Sequence, residues 1–280
     1  MKRIVVLTII LSMIISGTAL GKQILLSTIK QEILISRTLH TPIPPISPRY
    51  PKLTMETAYM IQNWLIGKLS KLRHAHTVGF KVAFTSPPSQ KKFKTNEPAY
   101  GILLNYMELH NNAVIDHKKI LKPFVEVEVG FRFGKSISKS IKNTNELKKY
   151  VDAAFPAIEI PSIRFSTLKG ITAADVVADD VGTAYFIVGK MVKPNLTNLN
   201  LITSVLYHNG KIVRTGRSKA VLGSPWKSLL WLVNSVLKSG RKIKKGYLVI
   251  TGTMTKLYPL KPGKYLAVHG RLGYIRFTVK

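Results

Sequence analysis

The sequence predicts an α+β fold, in which many short strands are joined by a few scattered helices. Segments typical of strands recur over most of the chain, and two longer segments have helical spacing. The 280 residues are 45% hydrophobic, which is enough for a substantial buried core. No internal repeat or low-complexity tract is visible. Because the strands are many and the helices few and scattered, strands that are distant in sequence are expected to pair with one another.

The N-terminus is typical of a secretory signal peptide. Met-Lys-Arg precedes an apolar run, Ile4–Ile15, and small residues follow it. The run is shorter than the about 20 apolar residues of a membrane-spanning helix, so a retained anchor is the weaker alternative. The sequence thus predicts a signal peptide at 1–21, with cleavage after Ala19 or Gly21, and a periplasmic or secreted protein. The chain has no cysteine, which excludes disulfides and thiol chemistry.

The chain is strongly basic, with 43 Lys and Arg against 13 Asp and Glu and a formal charge of +30. Such a charge favours contact with polyanions or anionic membranes. The basic residues are, however, spread along the sequence, and no basic groove with interleaved aromatic residues is apparent. A specific nucleic-acid partner is therefore not expected.

The residues after the signal form a predicted N-terminal arm, 22–52. Residues 22–41 are mildly amphipathic and have no clear assignment, and five prolines between positions 42 and 51 then forbid a regular helix. A helix follows from Thr54, a suitable N-cap, to about Lys71. Its buried stripe is predicted to be Ala58, Ile61, Leu65 and Leu69.

The remaining elements follow in chain order. One helix is predicted at Asn145–Ala154, and a second at Trp226–Leu237 is capped by Ser224 with Pro225 in its first turn. Asn209-Gly210 is a two-residue hairpin turn between strands. The predicted strands are Val78–Phe84, Ile120–Phe133, Ala157–Ile160, Tyr185–Val188, Leu201–His208, Lys211–Arg214, Tyr247–Thr251, Tyr265–His269 and Tyr274–Val279.

Two acids interrupt the apolar strand at Phe124–Gly134. Successive side chains of a strand face opposite ways, so Glu126 and Glu128 share one face, with Cα atoms roughly 6.6 Å apart. Like charges in an apolar setting are costly unless a cation or hydrogen-bond donors offset them. A divalent ion with oxygen ligands is such a cation.

A third acid, Glu159, also lies in an apolar strand segment, Ala157–Ile160, and is followed by Pro161. Acids are scarce in this chain, so three of them in apolar segments are notable. Each acid alone is compatible with a solvated surface position. The three together favour a metal site.

Several segments in order resemble the 2-keto-4-pentenoate hydratases and 4-oxalocrotonate decarboxylases of the fumarylacetoacetate hydrolase superfamily. The resemblance runs from about residue 53 to the C-terminus. The segments that carry it are Leu53–Gln62, Gly79–Ser86, Pro98-Ala99-Tyr100-Gly101, Phe124–Gly134, Ala157–Arg164, Ala178-Asp179-Asp180, Leu222–Pro225 and Ile250–Thr253. It implies a mixed β-sandwich roll with a small helical N-terminal part, a catalytic domain over 53–280, and a homo-oligomer.

The resemblance also implies a metal site and a catalytic lysine. The family's three metal-binding acids match Glu126, Glu128 and Glu159, and the metal is usually Mg²⁺ or Mn²⁺. The family's lysine matches Lys81. Three nearby glutamates would keep this lysine protonated, which favours an electrostatic partner or an acid. A surface lysine on a strand is the alternative.

Further candidates lie in segments that match the family near its substrate. Arg164 and Asp179 are substrate-binding candidates, although Asp179 can equally belong to a turn. The loop of Thr251, Gly252 and Thr253 offers hydroxyl and backbone N–H groups to a substrate carboxylate; a simple turn at a strand end is the alternative.

Two positions depart from the family pattern. Many hydratases have an acid where this chain has Ala99, and an Asp-Ser-Arg segment is replaced by Ser162-Ile163-Arg164. Loss of a general acid or base typically costs about 10²–10⁴-fold in rate. The departures leave the particular reaction open. The resemblance as a whole implies a divalent-metal-dependent lyase acting on a small 2-oxo or 2-hydroxydienoic acid, by hydration or decarboxylation. An exported non-catalytic binding protein on the same scaffold is the alternative.

Overall fold

The computed structural model describes the backbone of residues 19–280 and the side chains from Leu25 onward. The predicted signal peptide, residues 1–21, lies almost wholly outside the described residues, and export stays a prediction. Between residues 19 and 280, no helix is both long and apolar enough to cross a membrane.

Helices occupy the N-terminal end and the connections between strands. The α-helices in the described residues are α1 (Ala19–Leu39), α2 (Met55–Leu72), α3 (Pro87–Lys92), α4 (Thr144–Lys148), α5 (Ala173–Ala178) and α6 (Pro225–Lys238). Single 3₁₀ turns are found at Asn105–Met107, His117–Lys119, Asp180–Gly182, Leu199–Leu201, Ser218–Ala220 and Gly270–Leu272.

The strands carry most of the core. They are β1 (Thr77–Ala83), β2 (Ala99–Leu104), β3 (Glu108–His110), β4 (Ala113–Ile115), β5 (Phe124–Phe133), β6 (Val151–Pro161), β7 (Thr183–Val188), β8 (Thr203–His208), β9 (Lys211–Arg217), β10 (Leu248–Ile250), β11 (Tyr258–Pro259), β12 (Gly263–Val268) and β13 (Tyr274–Val279).

Two mixed sheets form the body of the protein. The larger has the order β2-β1-β10-β5-β6-β7-β3, with β11 also paired to β5, and the smaller has the order β4-β13-β12-β8-β9. Most neighbours are antiparallel, but β1 with β10, β3 with β7 and β4 with β13 are parallel. Many of these pairs are far apart in sequence, and the predicted α+β roll with non-local pairing is confirmed.

Local signals located α2 and α6 well. Thr54 caps α2, its side chain accepting the N–H of Thr57 at 3.1 Å, and the four predicted stripe residues of this helix are all buried. Ser224 likewise caps α6 and accepts the N–H of Trp226. The hairpin turn is also confirmed, since Asn209 and Gly210 both have the positive φ that such a turn requires.

The helix predicted at Asn145–Ala154 is wrong over its second half. Only Thr144–Lys148 is helical, and from Val151 the chain joins the sheet as β6. There, β6 pairs with β5 over most of the length of both strands. Pairing with a buried strand thus overrides a weak local helical preference. The apolar strand β2 was also missed, although all its residues are buried.

The segment predicted as an arm, 22–52, contains two different structures. Residues up to Leu39 belong to α1, whose Ile29 and Ile33 are buried in the core. The proline-containing part then crosses the surface in an extended course. It is held by the buried carboxylate of Asp175, which accepts the N–H groups of Ile46 and Ser47 at 2.7 and 2.8 Å.

Candidate active site

The structure brings the three predicted acids to one point on the larger sheet. Glu159 on β6 lies directly opposite Glu126 on β5 in the antiparallel register, and Glu128 lies two residues further along the same face. One carboxylate oxygen from each lies within 4.8 Å of the other two. Glu128 and Glu159 are fully buried, and Glu126 is half-buried. The three side chains can therefore act together on one ligand.

Lys81 reaches the same point from β1. Its Nζ lies 2.9 Å from Oε1 of Glu159 and donates a hydrogen bond to Oε2 at 3.2 Å. Strands β10 and β5 stand between β1 and β6. The long side chains of Lys81 and Glu159 therefore span the width of these two strands to meet. Gly101 lies beside Lys81, where a Cβ atom would come within 3.2 Å of its Cγ.

The electrostatics of this cluster favour a bound cation. Burial and the charge of Glu159 raise the pKa of Glu126 to about 7. Burial and both neighbouring glutamates raise the pKa of Glu128 well above its ordinary value. Burial opposes the charge on Lys81, but Glu159, Glu126 and Glu128 outweigh it and raise the pKa of the ammonium. Lys81 is thus a proton donor or a fixed positive charge at neutral pH, not a base.

The donor set fits a divalent metal ion. Three carboxylates and one ammonium leave an excess of two negative charges when all are ionised. Oε1 of Glu128 is buried and accepts no hydrogen bond from any described residue. Carboxylate oxygens are the ligands of hard cations such as Mg²⁺ and Mn²⁺. Glu126, Glu128 and Glu159 would hold such an ion, with Lys81 as a further charge beside it.

A cavity of about 190 Å³ opens onto Lys81 and Glu126. Its walls are mainly apolar, and a few polar groups stand at its edge. The apolar lining includes Phe84, Phe93, Phe124, Ile163, Phe165, Leu168, Ile171, Val176, Val181 and Leu257, and the polar edge includes Ser86, Ser89, Lys92 and Thr253. The cavity thus offers a charged end and an apolar end to a small molecule.

Asp179 lines this cavity, but its carboxylate is already committed. Arg37 Nε lies 2.8 Å from Oδ1, and Arg164 Nη1 lies 3.0 Å from Oδ2. All three side chains are almost completely buried. Arg164, predicted as a substrate-binding candidate, contacts Asp179 and lines a second cavity rather than this one, and its role in substrate binding stays a prediction.

The loop after β10 places two of its three predicted residues, Gly252 and Thr253, in the lining of the cavity. Thr251 is buried away from the cavity, and its hydroxyl donates to the carbonyl of Val129 at 2.8 Å. The N–H of Gly252 donates to Oε2 of Glu128 at 2.7 Å, so it orients a carboxylate of this chain. Gly252 has φ +106, and a Cβ atom there would lie 2.5 Å from Thr85 Oγ1. Thr253 does line the cavity.

The two departures from the family pattern have different positions. Ala99 is fully buried at the start of β2 and is not part of the cavity lining. Ser162 lines the cavity, and its hydroxyl donates to the carbonyl of Leu121 at 2.8 Å.

Sequence reasoning missed the residues that shape the cavity. Phe84, Phe93 and Leu257 come from different connections, and no local pattern in the sequence singles them out. Lys92, exposed at the end of α3, also lines the cavity.

Asp180 is a further buried acid close to the site. Its Oδ1 accepts the N–H of Ile102 at 2.8 Å, while Oδ2 has no partner among the described residues. Burial raises its pKa from 3.8 to about 7, against the opposing charge of Arg37. Asp180 and Val181 both have positive φ, which is strained for non-glycine residues. This segment therefore combines a buried carboxyl group with a strained backbone, and it lies beside Lys81 and Asp179.

Asp180→Asn is expected to change how stability depends on pH. The folded pKa lies above the unfolded one, so stability from the protonated carboxyl is present at pH 4 and is lost as pH rises through about 7. Asparagine keeps a side-chain oxygen that can accept the N–H of Ile102, but it does not ionise and therefore loses no stability as the pH rises. Relative to the parent, the variant should gain up to roughly 4 kcal/mol between pH 4 and pH 8. Urea unfolding across this range measures the difference; a constant difference contradicts the expectation.

Comparison with known proteins places the chain among metal-dependent enzymes. Residues 74–280 match the family model described as fumarylacetoacetate (FAA) hydrolase, C-terminal. The chain is 28% identical over 229 residues to 2-keto-4-pentenoate hydratase of Paraburkholderia xenovorans (strain LB400), covering 81% of this chain and 84% of the relative. It is 29% identical over 228 residues to 4-oxalocrotonate decarboxylase of Pseudomonas sp. (strain CF600), covering 81% and 85%. Both relatives are lyases, as the sequence predicts.

Solved structures agree with this placement. The 4-oxalocrotonate decarboxylase of Pseudomonas putida G7, complexed with magnesium and adipate, superposes with a TM-score of 0.86 at 25% identity. The match covers 94% of this chain and 99% of that chain. The same enzyme complexed with calcium and acetate gives a TM-score of 0.85. The predicted divalent-metal cofactor is consistent with both complexes.

Proposed function

Because the chain belongs to the fumarylacetoacetate hydrolase family, we propose that it is a divalent-metal-dependent lyase acting on a small 2-oxo or 2-hydroxydienoic acid. The observation that carries the proposal is the convergence of Glu126, Glu128 and Glu159 with Lys81 at the end of one cavity. The reaction is hydration of a C=C bond or loss of a carboxyl group. The named relatives catalyse reactions of these two kinds, which supports turnover over binding alone.

The two reactions share one electronic requirement. Hydration begins when the dienol ketonises: its hydroxyl loses a proton and a carbon atom of the diene gains one. Decarboxylation releases an electron pair when CO₂ leaves from a carbon that is conjugated to the 2-oxo group. Both steps place negative charge on the oxygen at carbon 2. A bound divalent ion supplies a Lewis acid and a template for such an oxygen. Stabilisation of charge that develops in the transition state is typically a large part of catalysis.

Lys81 is the group of this chain suited to that charge. Its ammonium is buried and protonated, and Glu159 holds it in place through the 2.9 Å contact. From this position it can donate a hydrogen bond to the oxygen at carbon 2, or deliver a proton to it. The contact with Glu159 also prevents the long side chain from turning away, which preserves the geometry before substrate arrives.

The cavity walls favour a small acid with a hydrocarbon portion. The cavity volume of about 190 Å³ suits a chain of few carbon atoms, and its aromatic and aliphatic lining excludes water from the carbon skeleton. Lys92 at the edge can meet a second carboxylate of a longer substrate. This arrangement accommodates both monoacids and dioates.

A binding protein without catalytic activity is the second candidate, because Ala99 occupies the position where many hydratases have an acid. A fully buried alanine cannot move a proton. If the reaction needs an acid at this position, the chain retains metal-dependent ligand binding without catalysis.

An ultraviolet assay separates the two candidates. The purified protein is incubated with 2-hydroxypenta-2,4-dienoate, with Mg²⁺ or Mn²⁺ and with chelator, and a 2-oxo dioate is tested in parallel for CO₂ release. We expect loss of dienol absorbance or release of CO₂ that requires the metal. Unchanged substrate, together with tight metal-dependent ligand binding, would establish a binding protein instead.

A further inference from the structure

A second cavity of about 70 Å³ lies behind the wall of the first. Ser162 lines both cavities, and Arg164, which lines the second, binds the Asp179 that lines the first. Among the described residues, the second cavity is lined by five basic side chains and no acidic one. The basic residues are Arg37, His40, Arg73, Lys119 and Arg164.

The two deepest cations have different bonding. Arg37 is fully engaged: Nε and Nη2 bind Asp179, and Nη1 donates to the carbonyl of Thr183 at 2.9 Å. Arg164 makes one hydrogen bond to a described residue, from Nη1 to Asp179 at 3.0 Å, and its side chain is 8% exposed. Its Nε and Nη2 have no hydrogen-bond partner among the described residues, and neither is sealed within the protein. Arg164 thus presents free N–H groups to the cavity that it lines.

The buried charge around Arg164 is unbalanced. Two guanidinium groups share the carboxylate of Asp179, and the other nearby acid in the described part of the chain, Asp180, makes no ion pair with either of them and has its pKa raised to about 7 by burial. Burial and the like charge of Arg37 lower the pKa of Arg164, which means that its surroundings disfavour the positive charge. A buried charge without full compensation is costly, and a bound anion would remove part of that cost.

Two further cations stand at the mouth of the cavity. Arg73 follows α2 and lies over the ring of Tyr106, with its guanidinium carbon 5.9 Å from the ring centre. Lys119, in a 3₁₀ turn, has a side chain 74% exposed, and its contact with Asp116 is a loose 3.9 Å. Both residues are exposed and neither makes a close ion pair, so their side chains can reach a ligand held by Arg164.

We propose that this second cavity binds a small oxyanion, either inorganic phosphate or a carboxylate, with Arg164 donating at its base and Arg73 and Lys119 at its mouth. The planar guanidinium fork matches both kinds of oxyanion. In the first cavity without metal, Lys81 is already paired with Glu159 and lies beside Glu126 and Glu128, which makes that site less favourable to a free anion. The proposal is independent of the reaction that the first cavity catalyses.

Isothermal titration calorimetry of the full chain with sodium phosphate tests the proposal. Divalent metals are omitted, so that no metal can hold the phosphate, and ionic strength is kept constant with chloride. The test variant is Arg73→Ala/Lys119→Ala. The matched control is Lys71→Ala/Lys118→Ala, which removes the same charge from exposed neighbouring residues outside the cavity lining. Malonate replaces phosphate in a second series.

We expect saturable binding at one site per chain. The dissociation constant should rise about tenfold in the test variant and change by less than about twofold in the control. Tighter binding of phosphate or of malonate identifies which oxyanion the site prefers. Absence of saturable binding of either anion overturns the proposal. So does an equal loss of affinity in the two variants, since that would reflect net charge alone.

Discussion

Glu126→Gln is expected to lower the affinity for Mn²⁺ or Mg²⁺ by more than 100-fold. Loss of a group that only supports a ligand typically costs about 10- to 100-fold, and Glu126 would itself be a ligand. It is also the least buried of the three acids, so the substitution is the least disturbing to the fold. Metal affinity is measured by isothermal titration calorimetry or by the rise in Tm on adding Mn²⁺.

The same variant should be more stable than the parent when no metal is present. Burial and Glu159 disfavour the charged form of Glu126, and glutamine removes that charge. Metal should therefore stabilise the parent strongly and the variant little. Glu97→Gln, on an exposed acid outside the cavity, serves as the control and should match the parent in both measurements. Metal uptake by Glu126→Gln equal to that of the parent would refute the proposed site.

Lys81→Met is expected to reduce turnover by about 10²–10⁴-fold, the usual contribution of a positioned acid or base. The variant should also unfold more easily without metal, because breaking a buried ion pair costs roughly 3–5 kcal/mol. Glu159 would then remain buried without its cation. Turnover is measured with saturating metal, well below the Tm of the variant, so that loss of folded protein does not contribute.

Lys91→Met provides the comparison for this experiment. Lys91 is exposed on α3 and does not line the cavity, so its replacement should leave both turnover and Tm unchanged. A Lys81→Met enzyme with turnover within about threefold of the parent would show that Lys81 serves only to balance the charge of Glu159.

The candidate metal site was largely predictable, because it depends on local periodicity. The side-chain alternation of a strand puts Glu126 and Glu128 on one face whatever their partners are. The opposition of Glu126 and Glu159 was not predictable in this way. It depends on the register between β5 and β6, and only the order of several family-like segments indicated that the third acid would join them.

The predicted substrate-binding residues have different positions, and their role stays a prediction. Asp179, Gly252 and Thr253 line the cavity, whereas Thr251 and Arg164 do not. Thr251 points its hydroxyl at the carbonyl of Val129, away from the cavity, whereas the next residue, Gly252, lines the cavity with its backbone and donates its N–H to Glu128. The pairing of Arg164 with Asp179 was not predictable, because Asp179 is also bound by Arg37, which belongs to a helix that no local pattern assigned.

By itself, the sequence determined the family, the α+β class, the capped helices α2 and α6, and the acids and lysine of the candidate site. Side-chain alternation and capping chemistry act over a few residues, and the order of the family-like segments can be read along the chain without knowing its fold. The tertiary structure alone decided that Lys81 on β1 meets Glu159 on β6, which residues wall the first cavity, and that five basic side chains from distant segments line the second. Those arrangements result from burial of the whole core and from strand pairing, which no short stretch of sequence encodes.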